Sequence, residues 1–491
     1  MKKILSIFIL TIIVLSCTAC SGGSILAEVS RNLTHYDITL DIDTANKSVT
    51  ASQMVDYVNN TDSILTDVRF HLYARAFDKD VKNPPISKLQ SAKAYPNGVD
   101  YGGIVIDCVK VANTEQIPAY SGEDNDILVV NVGKNLEPNE RVNIFISYTI
   151  DIPNIYHRFG YGDNTINLGN IYPIVCMRDN GEWCQESYHS NGDPFYSDIA
   201  NYSVTAIYDK AYTLASTGAQ KTTATANTKT TIATAKAVRD FALVISDKFK
   251  VLSDNVQGVD VMYYYFDDAN AQDNLNTAID ALTCFSDKFY DYPYSTLSVV
   301  KADFVHGGME YPNLVYIASD IEDKVQYQNV IIHEIAHQWW YGIVGNDEYH
   351  EAWLDEPLAE FSTALFYKWH KSYEVRYHDL ISSAQDNMSL FLSVYREVLG
   401  DVDTSMTKAL NEYDTDAEYT YMLYVKGLLF YDNLLSSIGE KKIVKALNTY
   451  AHNYAFKNAT GEDLIATFEK STGVKLNNFF DSWINGKVIL N

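Results

Sequence analysis

Cysteine is scarce in this chain. Of six in 491 residues, only Cys108, Cys176, Cys184 and Cys284 lie beyond the first twenty positions. Four are too few for a disulfide scaffold. No pair has CxxC spacing, which removes a cysteine-bound zinc site. Cys176 and Cys184 flank Asn180-Gly181 and are either bonded across a turn in an oxidising compartment or two free thiols. Basic residues are also few, with 38 Lys and Arg against 63 Asp and Glu and a formal charge of -25. A surface of that sign repels nucleic acid and anionic lipid, so nucleic acid is not an expected partner. No internal repeat is visible.

Long apolar runs are missing except at the start. Lys2 and Lys3 precede Ile4 to Leu15, a run too short to span a membrane comfortably. Residues 1–20 therefore read as a secretory signal. Its end, Val14-Leu15-Ser16-Cys17-Thr18-Ala19-Cys20, resembles a bacterial lipobox, in which one cysteine is lipidated. Cys17 has the better apolar residue three positions earlier, and Cys20 the better small pair before it. Either predicts an extracytoplasmic lipoprotein at the membrane or cell surface of a bacterium. Ordinary cleavage is the alternative, and it gives a freely secreted protein.

What is present is enough chain for two or three domains. Aromatics abound, with 37 Tyr and 20 Phe, which suits β-surfaces and peptide grooves. Tyr36, Ile38, Leu40 and Ile42 alternate with polar residues. So do Val142, Ile144, Ile146, Tyr148 and Ile150, and again Tyr202, Val204, Ala206 and Tyr208. Period two over many runs predicts an all-β saddle or sandwich domain. The Thr/Ala-rich piece Thr222 to Ala235 reads as strand edges with a loop. Beyond about Asp254 the pattern changes: strands at Val259–Tyr265 and Leu297–Phe304, a helix over Asn274–Tyr290, and mostly helix from Gln326 on. These patterns divide the chain into a β-domain over 29–255 and a mainly α domain over 256–491.

The chemistry lies in His333-Glu334-Ile335-Ala336-His337, followed after 18 residues by Glu356. Two histidines one turn apart share a helix face. A carboxylate on a later helix supplies a third ligand, and a catalytic zinc leaves its fourth position open. Glu334, beside the first histidine, is placed to act as general base. One zinc ion per chain is the implied cofactor. A satisfied pair of core histidines is the competing reading, but an apolar helix over Val325–Tyr341 has little reason to bury two histidines and a glutamate. Glu360, one turn after Glu356, is a candidate to fix a ligand imidazole by hydrogen bonding. Asp355 is a weaker one. Pro357 is tolerated only in a first helical turn, which places that helix start near Leu354.

With Trp353-Leu354-Asp355-Glu356-Pro357-Leu358-Ala359-Glu360-Phe361, this constellation resembles the gluzincin aminopeptidases of the aminopeptidase N and leukotriene-hydrolase family. Gly307-Gly308-Met309-Glu310-Tyr311-Pro312-Asn313 is similar to that family's exopeptidase motif, and Tyr424-Val425-Lys426-Gly427 to its catalytic-tyrosine segment. Tyr188 to Ser197 resembles the end of its β-saddle in bacterial members. The resemblance implies a β-saddle followed by a thermolysin-like, mainly α zinc peptidase domain. It implies substrate binding by Gly307, Gly308, Met309 and Glu310, with Glu310 taking the free amine of peptide substrates. It implies oxyanion stabilisation by Tyr424, rather than by Tyr419 or Tyr421. Tyr311 stands where the family usually has Asn, which puts the local strand contacts in question. The family's further amine-binding residue from the β-domain is not placed, Gln185 and Glu186 being loose candidates. His189, His306 and His350 read as packing or pocket residues. The sequence ends soon after Asp481-Ser482-Trp483, where longer relatives continue into a helical repeat domain. The expectation is a more open site, which a sharp cutoff at di- or tripeptides would contradict.

The expected activity is therefore zinc-dependent removal of the first residue of a peptide. The rivals are an endopeptidase on the same site and a non-catalytic surface-binding lipoprotein. Nothing in the sequence supports the epoxide-hydrolase activity found among relatives.

Overall fold

The computed structural model describes residues 21–400 and 402–488. The segment 1–20 expected to be a secretory signal, with Cys17 and Cys20, lies outside the described residues. Among the described residues no helix is long and apolar enough to cross a membrane.

The first half is sheet. Tyr36, Ile38, Leu40 and Ile42 in His35–Asp43 are all buried while the residues between them face water. Ala200–Asp209 and Arg141–Asp151 repeat the arrangement with their own alternating apolar sets. These strands belong to an eight-stranded sheet ordered Ala219–Ala224, Thr228–Val238, Ala200–Asp209, His35–Asp43, Ser48–Val58, Arg141–Asp151, Gly103–Val111, Thr114–Gln116. His35–Asp43 runs parallel to Ala200–Asp209, and the other pairings are antiparallel. The Thr/Ala-rich piece is the hairpin at its edge, where β-branched threonines suit a pleated surface. Two four-stranded sheets are built on Leu65–His71 and on Ala242–Ser246.

The second half begins with a five-stranded sheet ordered Lys250–Val256, Val259–Tyr265, Thr296–Ala302, Leu314–Ala318, Gly308–Met309. The helices Ala271–Lys288, Lys324–Ala336, Glu356–Trp369, Tyr377–Leu399 and Lys426–Ile438 follow or flank it. The fold is thus a sheet-rich N-terminal domain followed by a mainly helical domain.

Three boundaries differ from those read off the sequence. The division at 255/256 cuts a hairpin, because Lys250–Val256 pairs antiparallel with Val259–Tyr265. Lys250–Val256 has no buried face, so as a polar edge strand it carries no pattern to assign it. The change of architecture comes between Ala242–Ser246 and Lys250.

The helix expected over Val325–Tyr341 stops at Ala336. Beyond it Gly342, Ile343 and Val344 donate to the carbonyls of His337, Gln338 and Trp339, five residues back, at 2.9–3.1 Å. This wider coil turns the Trp340 carbonyl toward His337. The helical stretch around Tyr424 is also interrupted: Asp416–Thr420 and Lys426–Ile438 are α, and Tyr421–Val425 between them is a π-turn.

Cys176 and Cys184 are both free thiols. They flank the hairpin Arg178–Asp179 and Glu182–Trp183, where the Cys184 amide donates to the Met177 carbonyl at 2.9 Å.

Candidate metal centre and substrate cleft

Asp323 caps the N-terminus of Lys324–Ala336, accepting from the Gln326 amide at 2.8 Å. The helix ends on its own ligands. His333 Nε2 and His337 Nε2 lie 3.1 Å apart. Glu356 Oε2 lies 3.3 Å from the first and 3.2 Å from the second. Donor atoms about 2.0–2.1 Å from one ion, at tetrahedral angles, stand about 3.3 Å apart, so the three atoms match one face of a zinc tetrahedron. Among the described residues this is the one cluster of three or more His, Cys, Asp or Glu able to hold an ion.

The imidazole orientations are set from behind. His337 Nδ1 lies 2.9 Å from the Trp340 carbonyl. A carbonyl only accepts, so Nδ1 carries the hydrogen and Nε2 is left for a metal. Glu360 comes within 3.7 Å of His333 Nδ1. That is the approach expected of it, but it is longer than a hydrogen bond. Asp355 caps the next helix, Glu356–Trp369, accepting from the Glu356 amide at 2.6 Å and from Asn346 Nδ2 at 2.8 Å. Pro357 falls in that helix's first turn, where its missing N–H costs nothing.

Burial opposes charge on all three ligands, yet their mutual attraction outweighs it. Glu356 is held below the ordinary carboxylate range, and His333 and His337 above the ordinary imidazole range. Positive charge is what this corner is built to receive. Burial pushes the Glu334 carboxyl up to about 7, against the pull of the two imidazoles. Its side chain rests on Gly308, where an added Cβ would lie 2.1 Å from Glu334 Oε1. Glycine is required there by contact, and Gly307 is required by its φ of +93°.

The strand Gly308–Met309 pairs antiparallel with Tyr316 and Ile317. Alternation then sends successive side chains to opposite sides. Gly308 and Glu310 line the cleft with Gly307, and the Met309 side chain is buried in the core, which leaves only its backbone to meet a substrate. The pairing also survives the Tyr311 departure. Burial first, and then Asp193 and Glu334, push the Glu310 carboxyl well above its usual range, against the pull of His337. Gln338, next after the second ligand histidine, holds this loop. It donates to the Glu310 and Tyr311 carbonyls at 3.3 and 3.2 Å and accepts from the Asn313 amide at 2.8 Å.

Tyr424 sits in the π-turn. Its hydroxyl donates to Glu356 Oε1, and its ring stacks on His333 at 5.7 Å. Burial and the Glu356 charge push the phenol well above its usual range, so it stays a donor. Lys426 is buried and donates to the Thr404 and Trp483 carbonyls. Gly427 lies against Pro357, which an added Cβ would approach to 2.7 Å. Gly427 thus seats the Tyr424 helix against the helix that carries Glu356, and Lys426 ties it to the backbone at Thr404 and Trp483.

These groups share a cleft of about 570 Å³ that also takes in Arg158, Asp193, His306, Asp416 and Tyr419. A larger hollow of about 690 Å³ lies in the β-domain and contains no residue of the triad. Gln185 and Glu186 are absent from the cleft lining; Gln185 instead accepts from Arg69 Nη1 at 2.7 Å. His306 lines the cleft against His157, His350 pairs with Asp347, and His189 accepts from the Asn191 amide. The residue that sequence reasoning passed over is Asp193, ion-paired to buried Arg158. It lies inside the Tyr188–Ser197 stretch, and only the fold brings it to Glu310.

Residues 273–483 match the peptidase family M1 domain. Over 226 residues the chain is 26% identical to aminopeptidase M1-B of Oryza sativa subsp. japonica, covering 43% of this chain and 25% of that protein. Over 215 residues it is 25% identical to aminopeptidase N of Lactobacillus delbrueckii subsp. lactis, covering 41% and 25%. The chain thus spans about a quarter of the length of these curated relatives. The fold is similar to the crystal structure of an M1 zinc metallopeptidase from Deinococcus radiodurans, with a TM-score of 0.63 at 16% identity over 93% of this chain and 95% of that one. A mutant of that protein bound to a Tyr-Ser-Ala substrate gives 0.64 at 15% over the same shares. The His-Glu-x-x-His and glutamate triad falls inside the stretch 273–483 that matches the peptidase family M1 domain, so this part of the chain is an M1-type zinc metallopeptidase domain similar to that of the aminopeptidase N proteins.

Proposed function

We propose that the protein is a zinc aminopeptidase that hydrolyses the first peptide bond of peptides with a free N-terminus. The observation that carries this reading is Glu310, a buried carboxyl in the same cleft as the triad and Glu334. Alone, its charge is disfavoured; an arriving ammonium group reverses that and is selected by it. Asp193, beside it, supports the same amine.

His333, His337 and Glu356 would hold the zinc, which when bound supplies a Lewis acid for the scissile carbonyl and acidifies water. Glu334 takes a proton from the attacking water and returns it to the leaving amine. Tyr424 donates its hydroxyl to the developing oxyanion. Gly307 and Gly308 let the peptide backbone lie close beside the strand.

The test uses amino-acid anilides with free and acetylated N-termini. Turnover of the free forms alone, lost to a chelator and restored by zinc, is expected. Equal cleavage of both forms would make the protein an endopeptidase. No metal-dependent turnover of either would leave a binding protein.

The pattern from Lys2 to Cys20 supports an extracytoplasmic protein held at the membrane by a lipid on Cys17 or Cys20. Incorporation of labelled fatty acid, lost on Cys17→Ser or Cys20→Ser, is the expected result. Release of unlabelled protein into the medium would favour plain secretion.

A further inference from the structure

Two loops bring the site together, and both are gripped from the β-domain at one point. The first runs from His337 to Gly345. It carries the Trp340 carbonyl that orients His337, and the next residue, Tyr341, has a φ of +136°, a conformation that bulky residues seldom adopt. Tyr341 is held at both ends. Arg239 Nε donates to its carbonyl at 2.5 Å, and its hydroxyl donates to Asp240 Oδ2 at 2.6 Å. Arg239 is itself anchored on the Lys457 carbonyl at 2.6 Å and on Asn458. Gly345 leaves room for its guanidinium, whose central carbon would lie 2.0 Å from an added Cβ.

The second loop follows Glu310. Tyr311 is fully buried, and its hydroxyl donates to Asn170 Oδ1 at 2.6 Å. Gly169 makes that reach possible, since a Cβ there would lie 2.0 Å from the Tyr311 hydroxyl. Asn170 Nδ2 in turn donates to Asp240 Oδ2 at 3.3 Å. One carboxylate oxygen therefore receives both lines. The first comes from the residue after Trp340, and the second, through Asn170, from the residue after Glu310. Asp240 and Asn170 are each 2% exposed, so neither bond is shared with bulk water.

We propose that Asp240 and Asn170 of the β-domain are positioning residues for both halves of the site. Through Tyr341 they fix the loop that orients His337 for metal, and through Tyr311 they fix the Glu310 loop for the substrate amine. The Tyr311 hydroxyl is the contact that joins the amine loop to this hub. A rigid link of this kind sets two separated groups at one spacing, which a peptide bridging amine site and metal requires. The proposal rests on the aminopeptidase reading for its substrate half alone.

The test compares Tyr341→Phe, Tyr311→Phe, Asp240→Ala and Asp240→Asn. Zinc affinity is measured by competition with a chromogenic chelator, and KM and kcat on a free-amine anilide. Removing an outer hydrogen-bond partner of a metal ligand weakens binding about 10- to 100-fold. Tyr341→Phe should weaken zinc retention about tenfold with KM little changed. Tyr311→Phe should raise KM about tenfold with zinc affinity and kcat within about twofold of wild type. Asp240→Ala should show both losses, and Asp240→Asn, which keeps an acceptor oxygen for Tyr341, should recover most of the zinc affinity. Tyr→Phe variants with wild-type zinc affinity and KM would overturn the proposal. So would variants whose losses all scale with a lowered Tm, the mark of a merely structural role. If Asp240→Ala does not fold, the two Tyr→Phe variants decide. A wild-type protein that holds zinc but turns over no free-amine substrate would sink the aminopeptidase reading, and zinc retention in Tyr341→Phe would still judge the hub.

Discussion

The metal corner of the cleft and its amine corner, the Glu310 site proposed to take the substrate amine, are built by opposite means. At the metal corner, two ligands come from one helical turn and the third from the start of the next long helix. The three donor atoms fall within 3.1–3.3 Å of one another. Their geometry follows from helix pitch and holds wherever that helix packs. At the amine corner, Glu310 stands on a two-residue strand whose loop is held by Gln338, Tyr311 and Asn170, far apart in sequence. Its geometry depends on how the two domains meet. The first corner is set by local structure, the second by tertiary fit.

Mutations should separate the two. The largest effect is expected from Glu334→Ala, with turnover lowered about 10²–10⁴-fold while zinc content, measured by atomic absorption, stays at wild type. Tyr424→Phe should lower kcat about 10²–10³-fold, or about 3 to 4 kcal/mol, as for loss of one oxyanion donor, again with zinc retained. Glu310→Ala should act mainly through KM for free-amine substrates, by about 2 to 5 kcal/mol. A fall in kcat with KM unchanged would place Glu310 in the chemistry instead and erase the distinction between the corners.

The smallest effect concerns stability and pH at the domain junction. Burial raises the Asp240 carboxyl to about 6, against the hydrogen bonds from Tyr341 and Asn170. Its unfolded value is near 3.9. The folded state therefore favours the protonated form. The stabilisation is complete below about pH 4 and is lost as pH rises through about 6. Asp240→Asn cannot ionise, so between pH 4 and 7 its stability should rise relative to wild type by at most about 3 kcal/mol. A difference constant across that range, in denaturant titrations at each pH, would count against a buried, titrating Asp240.

The contrast between the corners also explains what could be read from the amino acids. His333, His337 and Glu356 are legible because helix spacing places them. The buried faces of His35–Asp43 and Arg141–Asp151 are legible because strand alternation does. Asp193, Asn170 and Asp240 carry no local signature; each matters through a partner more than a hundred positions away, or across the domain junction. Lys250–Val256 is not legible, because an edge strand without a buried face has no periodicity to read. The early end of the ligand helix and the turn at Tyr421–Val425 are invisible for another reason: their residues suit an α-helix, and packing decides otherwise.

The π-turn under Tyr424 means that this helix carries one residue more than a regular α-helix would need. Deleting a residue between Tyr421 and Val425 would let the segment relax to ordinary pitch. Each residue turns a helix by about 100°, so the phenol would swing away from Glu356 or Lys426 and Gly427 would lose their seats. The shortened protein would gain a better hydrogen-bonded helix and lose the phenol proposed as its oxyanion donor.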